Sequence, residues 1–432
     1  MRISGWGNYP VIDSSVDSPL SPTQVEHCML AGFNGIARGM GRSYGDSSLS
    51  SHVISGLSLH HLLDFDNETG VLRCQAGVTL ADILDLFVPR GWFLPVTPGT
   101  KFVSVGGAIA SDVHGKNHHI DGSFCEHITE LDLMLADGRI ERCSATHNRE
   151  LFHATCGGMG LTGIILSAGI RLKPITSSYI DEVTLKAPDL TAIIEMFEQY
   201  LSSTYSVAWI DCAARGKRMG RSLLMLGEHA IDAPLRNATP HNRSLPFNMP
   251  EHTLNRYSIK AFNSVYYHRK FFARQQRRIH YDPYFYPLDG VLHWNRLYGK
   301  KGFTQYQFVL PQESSAEGMR QVLERIVSAG RGSPLAVLKS FGRENDNFLS
   351  FPRQGLQLAL DFKINDGVFE FLNDLDSIVL DHGGRLYLTK DARMSEAMFK
   401  QSYPRWQQFM DVRTRYGADK VFNSLQSKRL GI

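Results

Sequence analysis

The sequence predicts an α+β protein built from two units of different texture. At 432 residues the chain is too long for one small domain, since about 150 residues per domain is usual. Glycine is concentrated in the first 170 residues, where short strand-like runs are separated by glycine-rich turns. From residue 304 strands and amphipathic helices follow one another, which is typical of an antiparallel sheet with helices on one face.

One helix of the first unit is well defined by its own residues. Thr79 and Asp82 form a capping box that begins it, and Pro89 ends it. The apolar residues that recur at helical spacing between them are Leu80, Ile83, Leu84 and Phe87.

The second unit can be assigned element by element. Apolar residues recur at helical spacing from Leu190 to Leu201, and two further helices are predicted over 319–327 and 368–380. The predicted strands cover 205–212, 305–310, 335–341 and 356–362. We place the domain boundaries near residues 175 and 385.

Composition narrows the class of protein. Hydrophobic residues make up 43% of the chain and charged residues 21%, which is ordinary for a globular protein, and a net charge of +3 does not suggest a dedicated nucleic-acid binder. The N-terminus lacks the apolar core of a signal peptide and no run is long enough to span a membrane, so we expect a cytoplasmic protein with reduced cysteines. The cysteines form no C-x-x-C pair, which argues against a zinc, iron–sulfur or disulfide framework.

A literal G-x-G-x-x-G occurs at Gly158, Gly160 and Gly163. In a nicotinamide-dinucleotide site this motif follows a strand and opens a helix. Here residues 150–155 look helical and 164–172 look like a strand, so the order is inverted and such a site is not expected.

The glycine clusters instead predict a cofactor that carries phosphate. Closely spaced glycines let the backbone approach a ligand, and their successive N–H groups can form an anion-binding nest. Arg38 and Arg42 are available to supply positive charge. A tight structural turn is the alternative, but it needs only one or two glycines. The clusters are Gly39, Gly41 and Gly45; Gly106 and Gly107; and Gly157, Gly158, Gly160 and Gly163.

Three histidines lie close together at His114, His118 and His119. No carboxylate or cysteine completes a metal-ligand set at suitable spacing, and the run sits in a glycine-rich loop. We therefore interpret it as a polar active-site loop and predict no metal.

An ordered set of motifs resembles the FAD-binding half of the vanillyl-alcohol-oxidase-type flavoproteins, and within them the decaprenylphosphoryl-β-D-ribose 2′-oxidase family. The first motifs lie at 37–46, 98–100, 105–110, 114–118 and 157–164. The likeness continues through 206–209, 294–296, 305–309, 341–342, 361–362, 383–393 and 403–404, and so spans nearly the whole chain. The ordered set is far more specific than any single motif.

The resemblance implies a two-subdomain PCMH-type FAD-binding domain of residues 1–175, completed by 386–432. Residues 176–385 would form an α+β substrate domain with an antiparallel sheet that caps the flavin ring. The implied FAD contacts are Arg38, Gly39, Gly41, Arg42, Ser43, Tyr44, Pro98, Gly99, Gly106, Gly107, His114, Asn117, Gly160, Gly163 and Ile164.

The resemblance also bears on how the flavin is held. In many relatives a histidine in the first glycine motif is bonded covalently to the flavin. At that place this sequence has Arg42, Ser43 and Tyr44, so we expect noncovalent FAD.

Lys390, Tyr44 and His114 are the residues that the resemblance implies for catalysis. Lys390 would orient the substrate hydroxyl, and a desolvated lysine near another cation can lose its proton near neutral pH and act as base. The alternative is a surface lysine beside Asp391. The implied substrate contacts are Lys116, Trp209, Gln307, Lys339, Gln357 and Lys390.

Two positions depart from the family pattern. Ala359 stands where mycobacterial relatives have a cysteine, and Gln357 stands where they have asparagine, which leaves the pocket shape open.

The implied reaction is oxidation of the 2′-hydroxyl of a polyprenyl-phosphoryl-β-D-ribofuranose to a ketone. A partner reductase would complete epimerisation to the arabinose donor for cell-envelope glycan. The alternative is a soluble alditol or aldonolactone oxidase.

Residues 256–281 are basic and aromatic, and they contain no acidic residue. Such a segment can lie on anionic lipid headgroups and receive a lipid-linked sugar, which predicts peripheral association with the inner face of the plasma membrane. A solvated basic helix is one alternative. A non-enzymatic nucleic-acid binder is another, and it would be colourless and bind oligonucleotides in a salt-dependent way. We expect no nucleic-acid partner.

Overall fold

Strands and helices are both abundant along the chain, and the predicted α+β class is confirmed. A computed structural model describes residues 1–238, 243–250 and 252–432. The strands of these residues are β1 (Arg2–Ser4), β2 (Val11–Asp13), β3 (Ser15–Asp17), β4 (Ile36–Arg38), β5 (His52–Ser55), β6 (Leu62–Asp66), β7 (Val71–Gln75), β8 (Trp92–Phe93), β9 (Ile128–Met134), β10 (Ile140–Cys143), β11 (Ile164–Arg171), β12 (Lys173–Pro174), β13 (Tyr179–Ala187), β14 (Tyr205–Ile210), β15 (Ser222–His229), β16 (Arg243–Ser244), β17 (Arg274–His280), β18 (Val291–Leu292), β19 (Phe303–Pro311), β20 (Ala336–Phe341), β21 (Gly355–Lys363) and β22 (Arg385–Leu386).

The α-helices are separated by these strands through most of the chain and follow one another at its C-terminal end. Those of the described residues are α1 (Pro22–Leu30), α2 (Leu80–Phe87), α3 (Val105–Ala110), α4 (His118–Asp121), α5 (Arg149–Thr155), α6 (Leu190–Gln199), α7 (Arg256–His268), α8 (Tyr281–Phe285), α9 (Ser315–Ala329), α10 (Val368–Asp381), α11 (Glu396–Ser402), α12 (Trp406–Arg415) and α13 (Leu425–Leu430). No helix in these parts of the chain has the length and apolar character needed to cross a bilayer.

The first part of the chain forms two main sheets. Strands β10-β9-β11-β7-β6 make an antiparallel sheet, and β3-β5-β4 make a small parallel one. Helix α2 begins as predicted, because Thr79 accepts a bond from the N–H of Asp82 while Asp82 accepts one from the N–H of Thr79. Around the G-x-G-x-x-G, α5 precedes and β11 follows, which confirms the inverted order.

The second part of the chain forms an eight-stranded antiparallel sheet in the order β17-β13-β15-β14-β20-β21-β19-β22. Helices α6, α9 and α10 pack on one face of it. Because successive side chains of a strand point to opposite faces, the leucines of β21 lie under these helices. The residues between them, such as Gln357 and Asp361, belong to the opposite face, and both are buried.

The end of the chain returns to its beginning. The N–H of Tyr44 donates to the carbonyl of Thr389 at 3.0 Å, and Arg429 forms an ion pair with Asp46 at 2.7 Å. A Cβ on Gly45 would lie 1.7 Å from the carbonyl oxygen of Asp391, so this approach requires glycine. These contacts bring the segment that contains Lys390 beside the first glycine cluster.

The basic, aromatic segment 256–281, called the basic segment below, does not form a single helix. Its first half is α7, but its second half is β17, an edge strand of the large sheet. There Arg277 pairs with Glu182 at 2.8 Å and Arg278 pairs with Asp181 at 2.7 Å. The sequence of the segment alone could not show this, because both acids come from β13, about a hundred residues earlier.

Candidate active site

Lys390 lies just beyond β22, in a turn held against the first glycine cluster. Its ammonium nitrogen is 3.9 Å from the centre of the Tyr44 ring. The pKa of Lys390 is lowered to about 7, chiefly by burial, which the carboxylate of Asp361 opposes and the charge of Lys339 supports. The side chain is only partly exposed and lies against the ring of Tyr44, which differs from the alternative of a surface lysine beside Asp391. Near neutral pH, this amine can exist in both protonation states.

Asp361 is the acidic group of the site. Its carboxylate accepts hydrogen bonds from Nε2 of Gln305 at 2.6 Å and from the hydroxyl of Tyr298 at 3.2 Å. Burial nevertheless raises the pKa of Asp361 to about 7, while these donors and the charge of Lys390 act in the opposite direction. Tyr298 stacks on Phe303 at 4.3 Å, which completes an aromatic wall on this side.

His114 is buried on the other side of the site. One ring nitrogen, Nε2, lies 2.8 Å from Nε2 of Gln307, which must donate to it since an amide nitrogen only donates. Burial and the charges of nearby groups, above all Lys339, hold the pKa of His114 well below its ordinary value, so the ring is neutral. Its other nitrogen, Nδ1, is buried with no partner among the described residues.

The face of the large sheet that is not covered by α6, α9 and α10 carries a row of polar side chains, and we call it the polar face. Gln305 is paired in register with Asp361, and Gln357 is paired with Lys339, so all four share that face. Neither the oxygen nor the nitrogen of the Gln357 amide has a hydrogen-bond partner among the described residues. A buried amide left in this way costs about 1–3 kcal/mol per group, which indicates that a polar ligand belongs here.

Lys116, Lys339 and Lys390 form what we call the lysine cluster. Burial lowers the pKa of Lys339 to about 8, and burial together with the charge of Lys339 lowers that of Lys116 to about 7. The amine of Lys116 donates to the carbonyl of Tyr284 and lies 4.2 Å from the centre of that ring. Lys116 is therefore held against α8 rather than aimed freely at the other two lysines.

Trp209 lies on the same sheet face, on β14, where it pairs with Val337 of β20. Its indole N–H donates to the carbonyl of Pro334 at 3.3 Å, and its ring lies 4.7 Å from that of Tyr266 on α7. Among the predicted substrate contacts, Trp209 thus links the polar face to the basic segment.

The loop 39–43 fits an anionic group of a cofactor. Its backbone N–H groups make no hydrogen bond to any described residue, unlike those of the strands on either side. Gly41 has φ +63°, and a Cβ on Gly39 would lie 2.2 Å from Oγ of Ser104. Successive unpaired N–H groups in such a loop form an anion-binding cradle.

The two arginines of this loop have different roles. Arg38 holds the loop in place, since its guanidinium donates to the carbonyl of Ser4 at 2.6 Å and to Ser48 at 3.1 Å. Arg42 lies 4.1 Å from the centre of the Trp6 ring, and burial lowers its pKa while Asp289 opposes this shift. Arg42 is therefore the one whose charge is not committed to holding the loop.

The remaining predicted FAD contacts divide into two groups. Gly106 and Gly107 lie in the first turn of α3, where their N–H groups already donate to Ala76 and Ser104. Gly160 has φ +77°, and Gly99, which follows Pro98, faces open space. Contacts within the chain also account for three others. These are Asn117, which donates to the carbonyl of Pro95 and to Asp121; Gly163, which packs against the carbonyl of Met134; and Ile164, which is buried at the start of β11.

The three histidines of the loop do not converge. His118 accepts from the N–H of Gly342 at 3.1 Å, and His119 lies 2.8 Å from the carbonyl of Ser203, while His114 faces Gln307. In the described parts of the chain no three His, Cys, Asp or Glu side chains are grouped to hold a metal. All six cysteines are unpaired.

Sequence reasoning gave no site role to Asp361, Gln305 or Tyr298. A signal for the first two was present, since polar residues at every second position of otherwise apolar strands mark a face that meets something polar. Tyr298 carried no such signal, because it is the last residue of a short helical turn rather than part of a strand.

Comparison with known proteins agrees with this geometry. Residues 24–144 match the family model described as an FAD binding domain. The chain is 35% identical, over 99% of its length and 97% of the relative, to decaprenylphosphoryl-beta-D-ribose oxidase of Mycolicibacterium smegmatis. It is 20% identical, over 98% of both chains, to L-gulono-1,4-lactone dehydrogenase of Mycobacterium tuberculosis. A shorter likeness, 32% over 27% of this chain and 23% of the relative, is to human delta(24)-sterol reductase.

Proposed function

Because the chain belongs to the family of the decaprenylphosphoryl-β-D-ribose oxidases, we propose that it oxidises the 2′-hydroxyl of a polyprenyl-phosphoryl-β-D-ribofuranose to a ketone. It is an FAD-dependent oxidoreductase. The observation that carries the proposal is a buried polar site in which the Gln357 amide and Nδ1 of His114 have no partner among the described residues, while the pKa of Lys390 is lowered to about 7.

FAD fits the residues present. The unpaired N–H groups of 39–43 suit its pyrophosphate, Arg42 adds charge, and the cradle has no histidine that could bond to the ring. When bound, FAD accepts the two electrons removed from the alcohol carbon. We propose that it is held noncovalently, by residues 1–175 together with 386–432, and that 176–385 form the substrate domain. The contacts of Tyr44 with Thr389 and of Asp46 with Arg429 support this division.

Lys390 is the proposed proton acceptor. Oxidation of an alcohol requires loss of the hydroxyl proton, and an amine with a pKa of about 7 can take it at neutral pH. Asp361 then faces the new positive charge from within the buried site. Tyr44 lies under the amine and restricts its position, and neutral His114 is available as a hydrogen-bond partner through Nδ1.

Substrate hydroxyls have matching groups on the sheet face. Gln357 can both donate and accept, Lys339 donates, and Gln307 is already turned toward His114. Ala359 lies between Gln357 and Asp361 and adds room without a polar group. A pocket lined by amides and amines suits a sugar better than an apolar alcohol.

The supporting experiment is product analysis. Purified holoenzyme is incubated with a polyprenyl-phosphoryl ribose and an electron acceptor, and the lipid is recovered for mass spectrometry. The proposal requires loss of two hydrogens, with the new carbonyl at C2′ after borodeuteride reduction. Label at any other carbon contradicts it. A partner reductase that completes epimerisation belongs to the same proposal.

Peripheral association with an anionic membrane is also proposed, through what we call the apolar face of α7 and the turn after it. This face consists of Tyr257, Val265, Phe271 and Phe272, which are 68%, 70%, 87% and 73% exposed. It lies opposite the buried residues Ile259, Asn263 and Tyr267 of the same helix. A solvated helix would present polar residues there, so exposed aromatic rings beside basic side chains favour a lipid surface.

The distribution of charge also favours lipid binding at the apolar face. Lys260, Lys270 and Arg274 form no ion pair with a described residue, whereas Arg277 and Arg278 are neutralised by acids of β13. The attraction to anionic headgroups therefore comes from the start of the segment and the turn, close to the exposed rings.

A further inference from the structure

A cavity of about 120 Å³ lies beside the polar face, between the start of α7, the loop after α9 and the end of β21. One water needs about 10–15 Å³ by this measure, so the cavity holds several water-sized groups. Its walls include Arg256, Arg331, Lys363 and Asp361, and none of the first three was predicted as a site residue.

The positive charge around this cavity is not cancelled by ion pairs of its arginines. Arg331 donates to the side-chain oxygen of Asn365 at 2.7 Å and to the backbone carbonyl of Asp366 at 2.8 Å, and both acceptors are neutral. Arg256 donates only to the hydroxyl of Tyr257, over whose ring it lies at 4.5 Å. Neither arginine is in an ion pair with any described carboxylate.

The donors in this cavity are side chains rather than the end of α7. The side-chain oxygen of Asn255 already accepts from the N–H groups of Tyr257 at 2.9 Å and Ser258 at 3.1 Å. The helix terminus is thus capped by its own residue. Guanidinium groups present planar pairs of N–H donors, which match the oxygens of a phosphate.

The cavity is placed between the catalytic groups and the proposed membrane surface. Asp361, which belongs to the site around Lys390, lines the cavity, and so does Pro334, whose carbonyl accepts from Trp209. Arg256 lines it as well and adjoins Tyr257, the first exposed ring of the apolar face. A lipid-linked sugar has the same order of parts: sugar, phosphate, then isoprenoid chain.

We infer that this cavity is the phosphate subsite of the enzyme, in which Arg256 and Arg331 hold the phosphodiester of the lipid-linked substrate. The inference rests on the proposed function, since the sugar must lie at Lys390 for the phosphate to reach the cavity. Asp361 is the one acidic side chain among the described residues that line the cavity, and the positive charges of Arg256 and Arg331 outnumber it.

Binding of a simple probe tests the subsite without catalysis. Inorganic phosphate and ribofuranosyl 1-phosphate are titrated into the holoenzyme by calorimetry. Arg256→Gln and Arg331→Gln should each weaken binding about tenfold or more, the usual effect of losing a hydrogen bond to a charged group. Arg320→Gln is the matched control, since Arg320 pairs with Glu317 and Glu324 on α9. Unchanged affinity in both test variants overturns the inference.

Steady-state kinetics then identify the source of the phosphate. With polyprenyl-phosphoryl ribose, Arg256→Gln should raise KM about tenfold and leave kcat within about twofold, because phosphate binding is remote from the reacting carbon. If the variant instead loses binding to phosphatidylglycerol vesicles with KM unchanged, the cavity holds a membrane headgroup and the substrate assignment is overturned. Among the described residues the Arg256 side chain donates a hydrogen bond only to Tyr257 of its own helix, so the substitution removes no hydrogen bond to another element.

The two proposals fail separately. If the wild-type enzyme is not reduced by the glycolipid, the proposed function fails, and with it the substrate assignment of the cavity. The calorimetric comparison still decides whether the cavity binds a phosphate. If the glycolipid reduces the wild type and Arg256→Gln and Arg331→Gln keep the wild-type KM, only the subsite is overturned.

Discussion

The amine of Lys390 lies 3.9 Å from the centre of the Tyr44 ring, although 346 residues of sequence separate them. The contact exists because the C-terminal segment returns to the first glycine cluster, where the N–H of Tyr44 bonds to Thr389. It joins the residue proposed to take the substrate proton to the loop proposed to hold the cofactor. Each of these roles has its own test.

Lys390→Ala should leave FAD bound and slow substrate-driven flavin reduction by at least about 10²-fold, the usual cost of losing an acid–base group. The measurement is anaerobic stopped-flow absorbance. Lys400→Ala is the matched control, because Lys400 belongs to the same segment but forms an exposed pair with Glu396. Reduction of the Lys390 variant at the wild-type rate would show that this lysine is structural.

The rate of flavin reduction should rise with pH through about 7. The sign follows from the proposed role, since only the neutral amine of Lys390 accepts a proton and its pKa is lowered to about 7. Asp361→Asn removes a negative charge that raises this pKa, so the rising limb should move to lower pH. If the pH dependence of the Asp361→Asn variant stays in place or moves to higher pH, the charge of Asp361 does not raise the pKa of Lys390.

The purified protein should be yellow and should release free FAD when denatured by heat or acid. The reason is that Arg42, Ser43 and Tyr44 stand where relatives with a covalent bond have a histidine. Absorbance of the supernatant after precipitation measures this. Flavin that remains with the precipitated polypeptide would refute noncovalent binding.

Phe271→Ser combined with Phe272→Ser should weaken binding to anionic vesicles about tenfold or more, because two exposed rings lose their apolar contact with lipid. Sedimentation with phosphatidylglycerol vesicles measures the effect, and FAD content should not change. Leu30→Ser, on α1, replaces another largely exposed apolar residue, in the first part of the chain, and serves as the control. If the double variant binds the vesicles as tightly as the wild type does, the apolar face is not the membrane-binding surface.

Local patterns were enough to predict many elements. The helix from Leu80 to Phe87 carries its capping box in its own residues, and the strands near 305–310 and 356–362 show their period directly. The edge strand Arg274–His280 was not predicted, because its pairing and its acidic partners come from β13. Ion pairs with residues so distant in the sequence cannot be predicted from the basic segment alone.

The candidate site shows the same limit. Lys390 and Tyr44 followed from the family resemblance, but the role of Asp361 depends on register, which sets it beside Gln305. The cavity beside Arg256 and Arg331 also depends on how α7 meets the sheet. No spacing in the sequence shows that two arginines 75 residues apart line one space.

The central claim is tested most directly by comparing substrates in anaerobic flavin reduction. A polyprenyl-phosphoryl ribose should bleach the flavin rapidly, because its phosphate and lipid chain add binding energy that a free polyol lacks and so raise occupancy of the site. Xylitol, sorbitol and aldonolactones should bleach it at least about 10²-fold more slowly at equal concentration. Fast reduction by a free polyol or lactone, with no response to the glycolipid, would contradict the account and identify a soluble alditol or aldonolactone oxidase instead.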